Sequence, residues 1–311
     1  MQWVSLHNHT TYSYGDGYGP VPAHVARAVE LGMKALSVTE HGNVSSHAQL
    51  EIHCKKTGIK PIYGIEIYLS RTADATRKTH MILIAYNAEG YRNLNRIVTH
   101  SYTDPHKERW PTVYFDRIRE YSDGLIALSG CSDSELSCTL LGGKDYGEKR
   151  LTYTEDDYSA AARVIERYAK VFGDRYFLEC QRFPALERTR VLNTAFEKLG
   201  RSTGVPLVGT ADVHYPLPEQ NKVQAILHAA RRGGTVEQTE ASWEYDVLLT
   251  YPTSDEEITN DLVATGLSES AAYAAVTNTS LIAARCNVEL PKVERVRYPI
   301  SERDWEPWET V

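Results

Sequence analysis

Short runs of aliphatic and β-branched residues alternate along the chain with longer stretches whose apolar residues recur every three or four positions. The first pattern predicts strands and the second predicts amphipathic helices. The predicted strands are Trp3–Leu6, Leu36–Glu40, Pro61–Ser70, His80–Asn87, Gly124–Gly130, Tyr176–Gln181 and Pro206–Tyr215. Strands that alternate with helices indicate βαβ units and a mainly parallel sheet, and this number of units favours a closed or nearly closed α/β barrel.

The helical pattern changes character after Tyr215. The predicted helices are Pro22–Gly32, Asp157–Phe172, Ala185–Gly204, Gln220–Arg231, Ser254–Thr265 and Ser268–Cys286. The last three follow one another without a strand between them. We therefore expect residues 1–219 to form the barrel and residues 220–311 to form a C-terminal helical extension that packs on it as a cap.

Composition narrows the class of protein. The chain has 311 residues, of which 42% are hydrophobic and 24% charged, as expected of a folded protein with a sizeable core. It has neither an apolar run long enough to span a membrane nor a secretory signal at its start, so we expect a soluble cytoplasmic protein. A net charge of −7 argues against a broad basic surface for duplex DNA but leaves room for a local nucleic-acid site.

Nine residues have metal-binding side chains that fall within or next to the predicted strands or, in the case of Asp16, in the glycine-rich loop YSYGDGYG. They are His7, His9, Asp16, His41, Glu66, His80, Cys131, Asp212 and His214. Strand ends meet on one face of a barrel, and residues two apart on a strand point the same way, so His7 pairs with His9 and Asp212 with His214. Each residue alone is more simply a structural side chain, and the prediction of a metal site depends on the joint pattern.

This mixture of imidazole, carboxylate and thiolate suits Zn, Mn or Fe. Distributed over three divalent metal ions, nine ligands give about three each, which leaves positions open for water and substrate as catalytic sites require. Clusters of this kind activate water and stabilise the charge that develops during phosphoryl transfer. The sequence therefore predicts a metal-dependent phosphoesterase.

Six motifs carry a resemblance to a known family. They are SLHNHTTYSYGDG, ALSVTEHGN, KPIYGIEIY, THMILIAYN, GLIALSGC and TADVHY. The chain resembles the PHP (polymerase and histidinol phosphatase) superfamily, and most closely the PHP domain of the bacterial DNA polymerase III alpha subunit. The resemblance implies a distorted (β/α)7 barrel with a trinuclear metal site. Where the family often has an aspartate this chain has Glu40, for which we expect a role in supporting the ligands.

The resemblance also implies a distribution of the ligands. One metal takes His7, His9, Glu66 and Asp212, a second takes Asp16, His41 and His214, and a third takes Glu66, His80 and Cys131. Glu66 then bridges two metals. His9, Glu66, Asp212 and His214 are the residues we expect to act most directly in catalysis.

The implied activity is that of a 3′–5′ exodeoxyribonuclease on single-stranded or mismatched DNA ends, with a proofreading role in DNA replication. The expected partners are DNA, through single-stranded or frayed 3′ ends, and a replicative polymerase. About 11 residues follow Ile300, so we expect a free-standing protein without a polymerase module. Two alternatives stay open, namely a small-molecule phosphatase acting on phosphomonoesters and a non-catalytic replication scaffold whose metals only stabilise the fold.

Three further residues are candidates for binding substrate. Tyr12 and Tyr14 flank Asp16, where their rings could stack on unpaired bases, although loop packing would equally explain them. Arg182 follows a predicted strand and could hold a phosphate, or it could lie on a solvated helix face. His228 matches no motif and receives no role.

Overall fold

Strands and helices alternate along the computed structural model, which describes residues 1–70, 78–105, 110–143, 146–241 and 247–292. The strands are β1 (Ala35–Val38), β2 (Lys60–Ser70), β3 (Thr79–Ala85), β4 (Thr112–Tyr114), β5 (Leu125–Leu128), β6 (Tyr176–Gln181) and β7 (Leu207–Thr210). The helices are α1 (Val21–Glu30), α2 (His47–Thr57), α3 (Ala88–Thr103), α4 (Phe115–Glu120), α5 (Glu135–Leu141), α6 (Glu155–Phe172), α7 (Glu187–Thr203), α8 (Asn221–Arg232), α9 (Val236–Glu240), α10 (Asp255–Ala264) and α11 (Glu269–Arg285). None of these helices is both long and apolar enough to cross a membrane.

The described strands form one curled sheet in the order β1-β2-β3-β5-β6-β7, with β4 paired to β2. Four of the pairings between these strands are parallel, but β3 runs antiparallel to both of its neighbours. The chain between β2 and β3 is too short for the crossover that a parallel pair needs. This reversal brings the first residues of β3 to the edge where the parallel strands end.

The segment before β1 closes the sheet, although the strand predicted there is not formed. Ser37 N donates to Ser5 O at 3.0 Å, which ties the segment to β1. On its other side, His9 N donates to Val213 O at 2.7 Å and Val213 N donates to His7 O at 3.0 Å. Residues 5–9 therefore span the gap between the first and last strands, and the predicted α/β fold, a distorted barrel, is confirmed.

The inward face of the barrel is divided into an apolar end and a polar end. The interior apolar cluster comprises Val4, Leu6, Ala35, Ile62, Ile82, Ile84, Ile126, Leu128, Phe177, Val208, Ile282, Ala283 and Cys286. Because side chains alternate along a strand, Glu66 lies on the same face of β2 as Ile62, and Glu179 on the same face of β6 as Phe177. On the reversed strand β3, His80 comes before Ile82. The strands thus present apolar residues at one end and polar residues at the other.

The described part of the C-terminal extension contacts both ends of the barrel. Helix α11 closes the apolar end, where Lys60 Nζ donates to Ala283 O at 2.8 Å and Asn287 N donates to Tyr86 O at 2.8 Å. Helix α8 lies at the polar end, where His228 reaches the predicted ligands. Helices α8 and α11 therefore lie against the two ends of the barrel in this structure. The domain boundary at residue 220 stays a prediction, and residues 293–311 lie outside the described residues.

Candidate metal centre

The predicted ligands lie together at the polar end of the barrel. Among the described residues, three groups have ligand atoms within 4.8 Å of one another. The groups are His7 with His9 and Glu66, His9 with His41 and His214, and Glu66 with His80 and Cys131. His9 and Glu66 each belong to two groups, so the groups adjoin one another. The carboxylate of Glu66, with two oxygen atoms, occupies a position from which a side chain can bridge neighbouring cations.

Glu66 is at the centre of the cluster and is 1% exposed. Its Oε2 atom lies 2.6 Å from His41 Nδ1, and its Oε1 atom lies 3.1 Å from His80 Nδ1. His7 Nε2 is 3.6 Å from the same Oε1 atom, and Cys131 Sγ is 3.9 Å from it. One carboxylate therefore faces ligand atoms of all three groups.

Asp212 follows β7 in irregular backbone, so Asp212 and His214 are not paired by a strand as predicted. Its φ of 44° is in the left-handed region, and it is the only residue other than glycine with a positive φ among the described residues. This conformation is tolerated best by Asp and Asn and is concentrated at functional sites. It leaves Asp212 Oδ1 3.2 Å from His7 Nε2 and 3.5 Å from His9 Nε2.

Asp16 joins the cluster from the glycine-rich loop. Its Oδ2 atom lies 3.0 Å from His41 Nε2, and its Oδ1 atom lies 3.6 Å from His214 Nε2. Asp16 therefore lies beside the two histidines with which the resemblance groups it, and their sharing of one metal stays a prediction. An unpredicted residue is closer still, because His228 Nε2 lies 2.6 Å from Asp16 Oδ1.

Buried partners fix the orientation of the imidazole rings. His7 Nδ1 lies 2.7 Å from Glu179 Oε1, and His9 Nδ1 lies 2.9 Å from Ser13 Oγ. Each contact directs the Nε2 atom of the ring to the cluster, as carboxylate and hydroxyl partners do for metal-binding histidines. Glu40 accepts a hydrogen bond from Ser13 Oγ at 2.6 Å, so it lies behind the hydroxyl that contacts His9.

The electrostatics of the centre favour a cation. Burial first, and the neighbouring imidazoles second, lower the pKa of His9 to about 3. Burial opposes protonation of His7 as well, but three surrounding carboxylates, Asp212 foremost, raise its pKa well above the usual range. Burial and the charge of Glu66 raise the pKa of Cys131 far above that of a free thiol. Bound cations would replace the protons of His7 and Cys131 at their respective positions.

Orphaned polar atoms show that the donor set fits a metal. Glu66 Oε2, His41 Nδ1 and Asp212 Oδ1 are buried and make no hydrogen bond of acceptable geometry. The Nε2 atoms of His7 and His9 face each other at 3.0 Å. Buried polar atoms that lack partners are rare unless an ion or water completes them. Imidazole, carboxylate and thiolate together match the preferences of Zn, Mn and Fe.

A cavity of about 500 Å³ opens over the cluster. The residues that line it include seven of the predicted ligands together with Tyr68, Lys78, Trp110, Gln181, Gln224, His228, Arg231 and Arg232. His7 and His9 are fully buried beneath it. A substrate that enters this cavity therefore contacts the exposed side of the ligand cluster, between β2, β3 and α8.

The three predicted substrate-binding residues lie away from this cavity. Tyr14 is 90% exposed, and the Tyr12 hydroxyl accepts a hydrogen bond from Gln49 at 3.0 Å. The Arg182 side chain is paired with Glu257 and with Asp261, whose Oδ2 atom lies 2.6 Å from Arg182 Nε. In this structure Arg182 ties β6 to α10, so its role towards substrate stays a prediction without a supporting contact.

The residues that sequence reasoning missed come mostly from α8. Gln224 and His228 are four positions apart and Arg231 follows three later, so one face of the helix carries them all. This spacing indicates that the three side chains share one face of α8. It would have predicted their place at the site only if that face were known to meet the barrel. Glu179 was missed because a carboxylate in the middle of a strand has no local motif.

Comparison with known proteins now identifies the family. The sequence profile of the PHP domain matches residues 5–183, more than half of the chain. The chain belongs to the PHP family. Asp212 and His214 lie beyond the matched residues, yet the structure places them against His7 and His9. The predicted ligands therefore come partly from the matched residues and partly from the residues that follow them.

Two relatives and one solved structure illustrate the relationship. The DNA polymerase III alpha subunit of Helicobacter pylori strain J99 is 32% identical over 239 residues, which are 75% of this chain and 19% of the relative. An error-prone DNA polymerase of Symbiobacterium thermophilum is 33% identical over 255 residues, 76% of this chain and 22% of the relative. A two-domain protein of Bacteroides vulgatus, described as containing a predicted PHP-like metal-dependent phosphoesterase, has a TM-score of 0.41 at 15% identity, with 70% of this chain and 53% of that chain covered. The chain spans about a fifth of the length of the polymerases it matches.

Proposed function

We propose that this PHP protein is a metal-dependent phosphoesterase whose nine predicted ligands hold three divalent cations. The observation that carries the proposal is the set of three adjoining ligand groups, which share His9 and Glu66 at the polar end of the barrel. Shared ligands imply cations close enough to act on one substrate. When bound, such cations lower the pKa of a water ligand and stabilise the charge on the attacking and leaving oxygens.

The residues of the chain prepare this site in two ways. Glu179 and Ser13 hold the rings of His7 and His9, so that both Nε2 atoms face the cluster before any cation arrives. Gln181 Nε2 donates to Asp212 Oδ2 at 2.9 Å, which leaves Oδ1 for the cluster. Such preorganisation limits the reorganisation needed during reaction.

Charge also favours an anionic substrate at this one place. Three divalent ions would bring about +6, against about −4 from the three carboxylates and the thiolate among the ligands. The whole chain carries −7. A phosphate ester is therefore attracted to the cavity and repelled by most of the remaining surface.

Within this class we propose a 3′–5′ exonuclease that acts on single-stranded or mismatched DNA ends and serves proofreading in DNA replication. The names of the polymerase relatives support a DNA substrate and association with a replicative polymerase. The cavity of about 500 Å³ has room for a terminal nucleotide but not for a duplex. An unpaired end should therefore be the form that enters.

The test uses 5′-labelled oligonucleotides with Mn²⁺, single-stranded, annealed, and annealed with a mismatched 3′ end. We expect a ladder that shortens from the 3′ end, formed faster on single-stranded and mismatched ends because unpairing costs a few kcal/mol. Release of a 5′ mononucleotide first contradicts the polarity. Hydrolysis of p-nitrophenyl phosphate alone indicates the small-molecule phosphatase, and bound metal without hydrolysis of either substrate indicates a scaffold.

A further inference from the structure

One wall of the cavity combines two aromatic rings with two cations. We call Tyr68, Lys78, Trp110 and Arg231 the cation–aromatic wall. Tyr68 lies on β2, Lys78 precedes β3, Trp110 precedes β4 and Arg231 lies near the end of α8. All of them line the cavity over the metal centre, although separate segments of the chain supply them.

The rings hold the cations in place. Lys78 Nζ lies 3.5 Å from the centre of the Tyr68 ring and 4.1 Å from that of Trp110. The guanidinium carbon of Arg231 lies 5.0 Å from the centre of the Trp110 ring. These distances are within the range of cation–π attraction. Both cations are therefore positioned on one indole ring, about 9 Å apart at most.

The wall adjoins the predicted ligands. The ring of Tyr68 stacks on that of His41 with centres 5.9 Å apart, and it meets the ring of His80 edge-on at 5.4 Å. A phosphate held by the wall would thus lie beside the metal centre and outside its shell of ligands. A nucleic-acid strand whose scissile phosphate is at the metal centre carries further phosphates along its backbone, and the wall offers two cations to such a neighbour.

We propose that Lys78 and Arg231, positioned by Trp110 and Tyr68, bind the phosphate adjacent to the scissile phosphate of a polynucleotide. This proposal rests on the proposed function and specifies its substrate as a strand with at least two phosphodiesters. Lys78 acts as a compact charge, while the planar guanidinium of Arg231 offers paired donors to phosphate oxygens. Trp110 is a positioning residue, because it acts through the two cations.

The test compares the dinucleotide TpT, which has only the scissile phosphate, with the trinucleotide TpTpT, which has a neighbouring one. Arg231→Ala and Lys78→Ala should each raise KM for TpTpT roughly tenfold, with kcat and KM for TpT unchanged. With longer single strands, each variant should reduce the salt dependence of binding by about 0.7 in the logarithmic slope. Trp110→Ala should reproduce the TpTpT effect, and Trp110→Phe should restore most of the lost affinity.

The matched control is Lys222→Ala. Lys222 is nine residues before Arg231 on α8, so it lies on the opposite face of the helix. Its replacement should leave kcat and KM unchanged for both substrates. Unchanged thermal unfolding and metal content in every variant establish that the fold and the centre are intact. If wild-type protein cleaves TpTpT and the three alanine variants of the wall do so with wild-type KM, the phosphate site is wrong and the proposed function stands. Equal losses on TpT and TpTpT also overturn the proposal, and failure of wild-type protein to cleave either substrate overturns it together with the exonuclease.

Discussion

His228 Nε2 lies 2.6 Å from Asp16 Oδ1, so helix α8 reaches into the group of predicted ligands. The other carboxylate oxygen of Asp16 faces His41. Asp16 is therefore held between a predicted ligand and a residue outside the PHP match. Helix α8 contacts the predicted ligands through His228 as well as lining the cavity above them.

Substitution of His228 should weaken metal binding. We expect His228→Ala to raise the Mn²⁺ concentration for half-maximal activity about tenfold, because partners that orient a ligand contribute this much to metal affinity. Activity at saturating Mn²⁺ should recover substantially. Titration of the metal-free protein with Mn²⁺, monitored by calorimetry, gives the affinity directly. Wild-type affinity in the variant would show that the orientation of Asp16 does not depend on His228.

Asp212→Asn tests the charge of a ligand without disturbing the backbone. Asparagine accepts a positive φ nearly as well as aspartate, so the unusual conformation at this position is preserved. Activity should fall more than about 100-fold, beyond the loss expected for a supporting partner. Circular dichroism should show an unchanged fold. Turnover within a few-fold of wild type would exclude Asp212 from the centre.

Much of this site could be predicted because its ligands follow strands that the apolar pattern already locates. His41, Glu66 and Cys131 needed only the approximate positions of β1, β2 and β5. His80 is different, because a parallel β3 would have placed it at the wrong end of the barrel. The reversal of β3 follows from the short connection before it, a signal that the alternation of strands and helices obscured.

The backbone conformations and neighbours that depend on contacts distant in sequence could not be predicted, even where the ligand residues themselves were. His7 and His9 lie in a segment held by isolated bridges, one to β1 and one to Val213 after β7. No local pattern distinguishes this segment from a strand. Trp110 and Lys78 become neighbours only when β4 pairs with β2. Tyr12 and Tyr14 are close to Asp16 in sequence, but neither residue lines the cavity and Tyr14 is 90% exposed.

Glu179 should control the tautomer of His7. Glu179 Oε1 accepts from His7 Nδ1 and also from Thr210 Oγ1, both at 2.7 Å. In Glu179→Gln the negative charge is lost and the amide can present a donor to His7, so metal affinity should fall about 10–100-fold. The isosteric change keeps the packing, so the Tm of the metal-free variant should equal that of metal-free wild-type protein. Unaltered metal affinity would indicate that His7 needs no charged partner.

Metal binding should release protons at neutral pH. Neighbouring carboxylates raise the pKa values of His7 and His41 well above the usual range and also raise that of His214, while burial raises the pKa of the Cys131 thiol, so these shifts all favour the protonated form in the metal-free protein. Cations require the deprotonated ligands, so apparent affinity should rise with pH until these groups have titrated. Calorimetry in buffers of different ionisation enthalpy measures the protons released. Proton uptake, or an affinity that falls as pH rises from 6 to 8, would contradict the assigned ligands.

The most direct measurement of the central claim is anomalous diffraction from crystals grown with Mn²⁺. The account predicts three peaks at the polar end of the barrel, one in each ligand group, with Glu66 contacting two of the ions. Ligand distances should be close to those usual for such metals, about 2.0–2.3 Å to nitrogen and oxygen, with a somewhat longer bond to sulfur. Peaks located away from these side chains, or a centre that stays without metal at millimolar Mn²⁺, would contradict it.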